Sequence, residues 1–215
     1  MAIDRDRIID EAMLLLNEVG IDGMTTRKLA QRLGVQQPAL YWHFRNKSAL
    51  LDAINAEMLK RYYTHRLPRL GQDWAEFTMA SARSQRQALL AVRDGARITA
   101  GTRPTDADFA DTEKQLQLYV EAGFSAEEAL HVAISISRYV VGYVLEEQGE
   151  RAREVEEAGD LPGDLVAELA PFPIMAQAVD TLVKEGTINT DRAFETGLGF
   201  LVDGMRASLA KRKAG

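Results

Sequence analysis

Apolar residues recur every three or four positions through most of the chain, the spacing of helices that bury one stripe. Ile8, Ile9, Ala12, Leu15 and Leu16 set this rhythm first and predict a helix over residues 5–19. Gly20 is placed to stop it, and Asp22-Gly23 to turn the chain. Thr25 or Thr26 can cap a second helix running to about Leu33, with Leu29, Ala30 and Leu33 facing inward. Gly34 supplies the next turn and Val35 fills the gap between helices. A third helix is expected over 36–43, with Pro38 in its first turn, where no amide donor is lost. Asn46 or Ser48 opens a longer helix over 47–65, carrying Leu50, Leu51, Ile54, Met58 and Leu59 on one face. Leu67-Pro68 breaks it. Further helices are expected over 73–92, 95–100, 106–122, 125–150 and 189–212, with one or two more within 163–186. The segment from Gly149 to Gly163 is charged and glycine-punctuated and is read as a surface loop. No strand-like alternation persists, so the fold class is all-α.

Composition changes this picture little. The chain has 215 residues, 46% hydrophobic and 27% charged, enough for a real core in one or two domains. It has no cysteine, which excludes disulfides and thiolate metal sites and fits a reducing compartment. Asp4, Asp6 and Asp10 interrupt the start, so no signal pattern forms. The longest apolar runs, such as Tyr139 to Leu145, are too short to span a bilayer. A cytoplasmic protein with no membrane partner is expected.

Charge changes it more. The net charge of −6 argues against nucleic acid, but its distribution does not. Residues 1–66 hold ten Lys/Arg against eight Asp/Glu, and the remainder holds sixteen against twenty-four. Residues 25–51 contain no acid and five bases: Arg27, Lys28, Arg32, Arg45 and Lys47. Binding follows the local field, so this window is the positive face. Two short helices joined by a glycine turn lie inside it, the pattern of a helix-turn-helix reading head. Gln36 and Gln37 can pair with adenine and an arginine with guanine, while Pro38 and Ala39 can meet a thymine methyl. Tyr41, His43 and Lys47 suit phosphate contacts that fix register, Trp42 sits among them, and Thr26 and Arg27 lie near the same groove. The expected partner is double-stranded operator DNA. The plainer alternative is a solvated basic face on a small helical unit.

The stretch from Gly20 to Ala53 resembles the TetR family of bacterial transcriptional regulators. Similarity to its tetracycline-repressor-like branch continues through Arg93-Asp94-Gly95-Ala96, Gly101-Thr102-Arg103-Pro104-Thr105, Glu121-Ala122-Gly123-Phe124-Ser125 and Val144-Leu145-Glu146. The resemblance implies a homodimer. Residues 1–46 would form the helix-turn-helix DNA-binding domain, and 47–215 the ligand-binding and dimerisation domain, joined by the helix over 47–65. It implies base contacts at Arg27, Gln37, Pro38 and Ala39, and backbone contacts at Thr26, Tyr41, His43 and Lys47. Ala39 departs from the threonine usual in that branch, which removes one hydroxyl contact.

The same resemblance implies a ligand pocket with a mixed set of residues. Thr102, Arg103, Pro104, Gln115 and Glu146 keep the branch's pattern, and Leu130 belongs to the same set. Thr99 stands where the branch has a metal-ligating histidine. Tyr63 and Ser81 replace the drug-anchoring His and Asn, and Gln85 replaces a stacking Phe. A threonine hydroxyl is a poor substitute for an imidazole ligand, so no metal and no resident cofactor are expected. Tyr63, Ser81, Gln85 and Thr99 would suit a neutral, oxygenated or polycyclic inducer rather than a magnesium–tetracycline chelate. Tyr63 could equally be packing, and Arg103 equally a cap or ion-pair partner. Gln115 inside a helix points more firmly to a site, because buried amides need partners.

Leu130, Ile134, Val141 and Leu145 on one helix, and Phe194, Leu198, Leu201 and Val202 on another, could form an intersubunit four-helix bundle or an intramolecular core. Gly197, Gly199 and Gly204 would permit close approach. No phosphate loop, metal-ligand spacing or nucleophile elbow is present, so the chain is not read as an enzyme. The reading is a ligand-responsive repressor released from its operator by a small-molecule inducer. The alternative is a helix-turn-helix regulator with no small effector.

Overall fold

The computed structural model describes residues 3–156, 168–184 and 190–214. Its described residues are helical, with no strand. Helix α1 spans Arg5–Gly23, with Asp4 accepting from the Arg7 amide at 2.8 Å. Gly20 adopts φ 70° and breaks its regularity, leaving one further turn before α2. Helix α2 spans Thr26–Leu33, capped by Thr25 and ended by left-handed Gly34. Helix α3 covers only Gln37–Tyr41. Trp42 and His43, expected inside it, form the turn where the His43 and Phe44 amides both bond the Leu40 carbonyl.

Helix α4 spans Lys47–Tyr62, capped by Asn46. It stops three residues before the expected end, and α5 is the cause. The Tyr63 hydroxyl meets Ser81 Oγ at 2.6 Å, and Ser84 Oγ accepts from the His65 amide at 3.1 Å. The Tyr63 amide still bonds the Leu59 carbonyl, but the His65 amide turns to Ser84, and residues 63–65 are drawn across α5, which spans Trp74–Leu90. Helix α6 is Gly95–Gly101, and α7 is Asp106–Ala122, opened by a Thr105/Asp108 capping box.

Helix α8 runs Ala126–Glu156, so it continues past Gly149 into the expected loop. The Glu, Arg and Ala of residues 150–156 are strong helix formers and override one unfavourable glycine. The rest of that expected loop lies outside the described residues. Helix α9 spans Pro173–Lys184, within the 163–186 region, and α10 spans Thr190–Ala214.

One buried cluster runs from Ile8 in α1 to Val202 in α10. Helix α4 packs on α1 at one end and on α5 and α6 at the other, so Ile54 and Met58 are fully enclosed. Helices α5 and α8 form the middle of the body, with α6, α7 and α10 laid against α8. Helix α10 approaches closely at Gly197, where a Cβ would lie 2.5 Å from the Tyr139 hydroxyl. A Cβ at Gly199 or Gly204 would meet nothing within 4 Å among the described residues.

Candidate DNA-reading head and ligand cavity

The head presents its polar groups on a fixed frame. Leu29, Ala30, Leu33 and Leu40 are buried beneath α2 and α3. Above them, Gln37 Nε2 donates to Thr26 Oγ1 at 2.8 Å and to the Tyr41 hydroxyl at 3.3 Å. Three residues expected at the DNA are therefore joined, and the Gln37 amide is held in one orientation. Trp42 is 86% exposed and Tyr41 48%, an aromatic pair that no core demands. Arg27 and Pro38 are exposed, while Ala39 and His43 are half-buried on the same unit. Among the described residues, Arg27 and Arg45 pair with no acid.

Three of the five bases in the acid-free window are engaged within the protein, Lys28 by donating to the Gly23 carbonyl at 3.0 Å. Arg32 is neutralised by Glu11 and Glu18 of α1, at 2.8 and 2.6 Å. The window is free of acids along the sequence but not in space. Lys47 spends one donor on the Ile21 carbonyl at 2.9 Å, near the end of α1, and two donors of its ammonium remain.

A second seam joins the head to the body. Asp94, in the left-handed region at φ 60°, accepts from the Ile21 amide at 2.7 Å. Arg97 grips Asp22 with both terminal nitrogens, at 2.9 and 3.2 Å. These contacts place α6 directly against the last turn of α1.

The body holds a half-open cavity of about 550 Å³, within the size range of small-molecule sites. Nine of the ten expected ligand residues line it: Tyr63 from α4's end, Ser81 and Gln85 from α5, Thr99 from α6, Thr102, Arg103 and Pro104 from the following loop, Gln115 from α7 and Leu130 from α8. Glu146 does not; it is exposed on α8, outside the lining. One residue along a helix is a turn of about 100°, and the neighbour Glu147 points inward instead. It is 3% exposed and bonded to Arg86 and Arg151.

Many lining groups satisfy one another. Tyr63 pairs with Ser81, and Thr99 Oγ1 donates to Asn55 Oδ1 at 2.7 Å. Gln115 Nε2 donates to the Arg66 carbonyl at 2.7 Å, and Gln85 Nε2 to Ser137 Oγ at 3.4 Å. Thr102 Oγ1 donates to the Thr99 carbonyl. Burial pushes the Tyr63 phenol upward, with Ser81 and Arg66 partly opposing it. Burial also raises the Tyr119 phenol, to about 12. Both phenols therefore stay neutral at working pH.

The sequence reading missed Asn55, Arg66, Asp108, Asp111 and Arg138, which also line the cavity. Some of these were accessible by spacing. Asn55 and Leu59 lie eight and four residues before Tyr63, and Asp108, Asp111 and Thr112 precede Gln115 at helical intervals. Arg66 bonds Asp111 at 2.8 Å and also Asp108, which no local pattern announces. Burial tends to raise the Asp108 carboxyl, but its bonds to Thr105 and Arg66 outweigh this and hold it below the ordinary value. Among the described residues, no cluster of His, Cys, Asp or Glu is arranged to hold a metal.

Residues 8–54 match the family profile for bacterial regulatory proteins of the tetR family, and 67–209 match the tetracyclin repressor-like C-terminal domain. The chain belongs to the TetR family. Tetracycline repressor class A of transposon 1721 from Escherichia coli is 52% identical over 207 residues, spanning 96% of this chain and 90% of that protein. The Escherichia coli class C repressor is 46% identical over 203 residues, spanning 94% and 90%. A solved class A TetR in complex with 5a,6-anhydrotetracycline and magnesium superposes with a TM-score of 0.75 at 42% identity, covering 95% of this chain and 99% of that one. Streptomyces coelicolor ActR in complex with (S)-DNPA gives 0.76 at 28% identity, covering 97% and 99%. The TetR assignment makes this chain a tetracycline-repressor-like transcriptional repressor with a helix-turn-helix head. Its relatives are regulators rather than enzymes. Among the described residues, no helix is long and apolar enough to cross a membrane.

Proposed function

We propose that this TetR-family repressor binds a palindromic operator as a homodimer and is released by a small-molecule inducer other than a magnesium–tetracycline chelate. The observation that carries the reading is α4. Lys47 at its first turn meets the head, while Asn55, Leu59 and the following Tyr63 line the cavity. Helix α6 offers a parallel route, from Thr99 in the lining to Asp22 through Arg97. A ligand shifts the head only by its differential affinity for two arrangements of these elements. Residues 1–46 act as the DNA-binding unit and 47–215 as the ligand-binding and dimerisation unit, with α4 as the link. Thr26, Arg27, Gln37, Pro38, Ala39, Tyr41, Trp42, His43 and Lys47 make the DNA contacts. Exposed Leu145 and Phe200 on α8 and α10 supply apolar surface for a second copy. Acting on DNA, the protein works in the cytoplasm.

The excluded inducer follows from the lining chemistry. Thr99 offers a hydroxyl already donated to Asn55, and the cavity's two carboxylates are both bonded to Arg66. Neither is an open metal ligand. Titration calorimetry with tetracycline and magnesium is expected to show no tight, chelator-sensitive binding. Sub-micromolar binding abolished by chelator overturns this part. The mutual pairing of Tyr63 with Ser81 favours a second reading, a regulator without an effector. Mobility shifts on the operator separate the two: no release by any cavity-binding compound supports the second.

A further inference from the structure

Among arginines after residue 66 whose side chains are described, nearly all have a partner. Arg69 meets His65, Arg83 meets Glu195, Arg86 meets Glu147, and Arg93 meets the Glu18 carbonyl. Arg97, Arg151, Arg206 and Arg212 hold carboxylates, and Arg192 is also engaged. Arg103 and Arg138 alone in this set make no hydrogen bond, ion pair or ring contact, and both line the cavity. Both are exposed, as are Pro104 and Phe109 beside them, so these residues mark its open side. The inner end mixes ring and apolar surface, from buried Phe77, Tyr119 and Ile136, with buried Thr78, Ser81 and Gln85, whose polar groups are bonded within the protein. The lining carries three guanidiniums against two carboxylates; Arg66 binds both carboxylates, and Lys114 lies 3.7 Å from Asp111. The uncompensated charge of the cavity is therefore positive and sits at its mouth.

We infer that the cavity takes an organic anion, a planar apolar body with one carboxylate or sulfonate-like group, whose charge is received by Arg103 and Arg138. This rests on the reading of the cavity as the inducer site and departs from the neutral ligand that the hydroxyl-rich sequence suggests. Two forked guanidiniums suit an oxyanion, and the Phe77, Tyr119 and Ile136 surface suits the ring system. Arg138 is thus a specificity residue on α8 that no motif marked.

A matched dye pair tests it on the full chain: fluorescent anilinonaphthalene sulfonate and N-phenylnaphthylamine, the same ring system without the anion. The sulfonate dye should bind about tenfold more tightly, and Arg103→Gln and Arg138→Gln should each weaken it about fivefold at low salt. The neutral dye should be unaffected by either change. Added salt should narrow the difference between the dyes, because exposed charges are screened. Equal affinity for the two dyes, or sulfonate binding that survives both substitutions, overturns the anion assignment. Ala133→Phe and, independently, Thr112→Phe fill the cavity and should weaken both dyes. If both folded variants bind both dyes as before, the cavity reading itself fails and the proposal with it.

Discussion

The reading head and the cavity treat their polar groups in opposite ways. In the head, Thr26, Gln37 and Tyr41 bond one another only enough to fix direction, and Arg27, Arg45 and Trp42 stay exposed. In the cavity, Tyr63, Ser81, Thr99, Asn55 and Gln115 are largely consumed by internal bonds. A surface that meets a rigid polyanion gains from leaving donors open, since counterion release supplies much of the affinity. A buried cavity cannot leave them open, because each orphaned polar group costs about 1–3 kcal/mol. The free cationic charges of the cavity are confined to its mouth, at Arg103 and Arg138. The head therefore offers many donors and the cavity few.

The largest effect should come where the two regions share one core. Ile54 is fully buried on α4, and Ile54→Ala should cost about 2–5 kcal/mol. Because the buried cluster is continuous, a single melting transition should move. Two transitions, one of them unmoved, would show that the head is thermally independent of the body.

Arg27→Ala should weaken operator binding by about 1–3 kcal/mol and leave melting unchanged, since Arg27 has no internal partner to orphan. A mobility shift beside a thermal melt separates these effects. A lowered melting temperature would remove Arg27 from the set of free donors.

Arg66→Ala should behave in the opposite way. It leaves Asp108 without a cation and Asp111 with only Lys114 at 3.7 Å, which should cost about 1–2 kcal/mol of stability while operator affinity persists. Tyr63→Phe should cost about 1 kcal/mol, by leaving Ser81 without its partner.

The smallest effect is in acid. Asp108 sits below its ordinary value, so its contribution is present above the unfolded carboxylate range and is lost as pH falls through its lowered folded value. Asp108→Asn should flatten the loss of stability below about pH 4. An unchanged acid slope would mean that Asp108 does not contribute.

The head was more legible in the sequence than the cavity. Thr25, Gly34, Asn46 and the Leu29/Ala30/Leu33 stripe act within a few residues, and the structure follows them closely. Nine of ten expected cavity residues also line one space, because the family resemblance carried their positions. The exceptions share a cause. Arg32 looked free because Glu11 and Glu18 lie on another helix. Helix α4 looked longer because its end is set by Ser81 and Ser84 across the gap. Arg138 carried no signal, since an arginine on a helix is ordinarily solvated.

Taken alone, the sequence determined the all-helical plan, the caps and turns of the head, and membership in the TetR family. These depend on periodicity, glycine placement and motif spacing, which are properties of neighbouring residues. Only the tertiary structure decided which charges remain free. Arg32 was removed from the DNA face, Arg66 was assigned to two aspartates, and Arg103 and Arg138 were left open at the cavity mouth. Neutralisation depends on separation in space, and helices distant in sequence supply the partners.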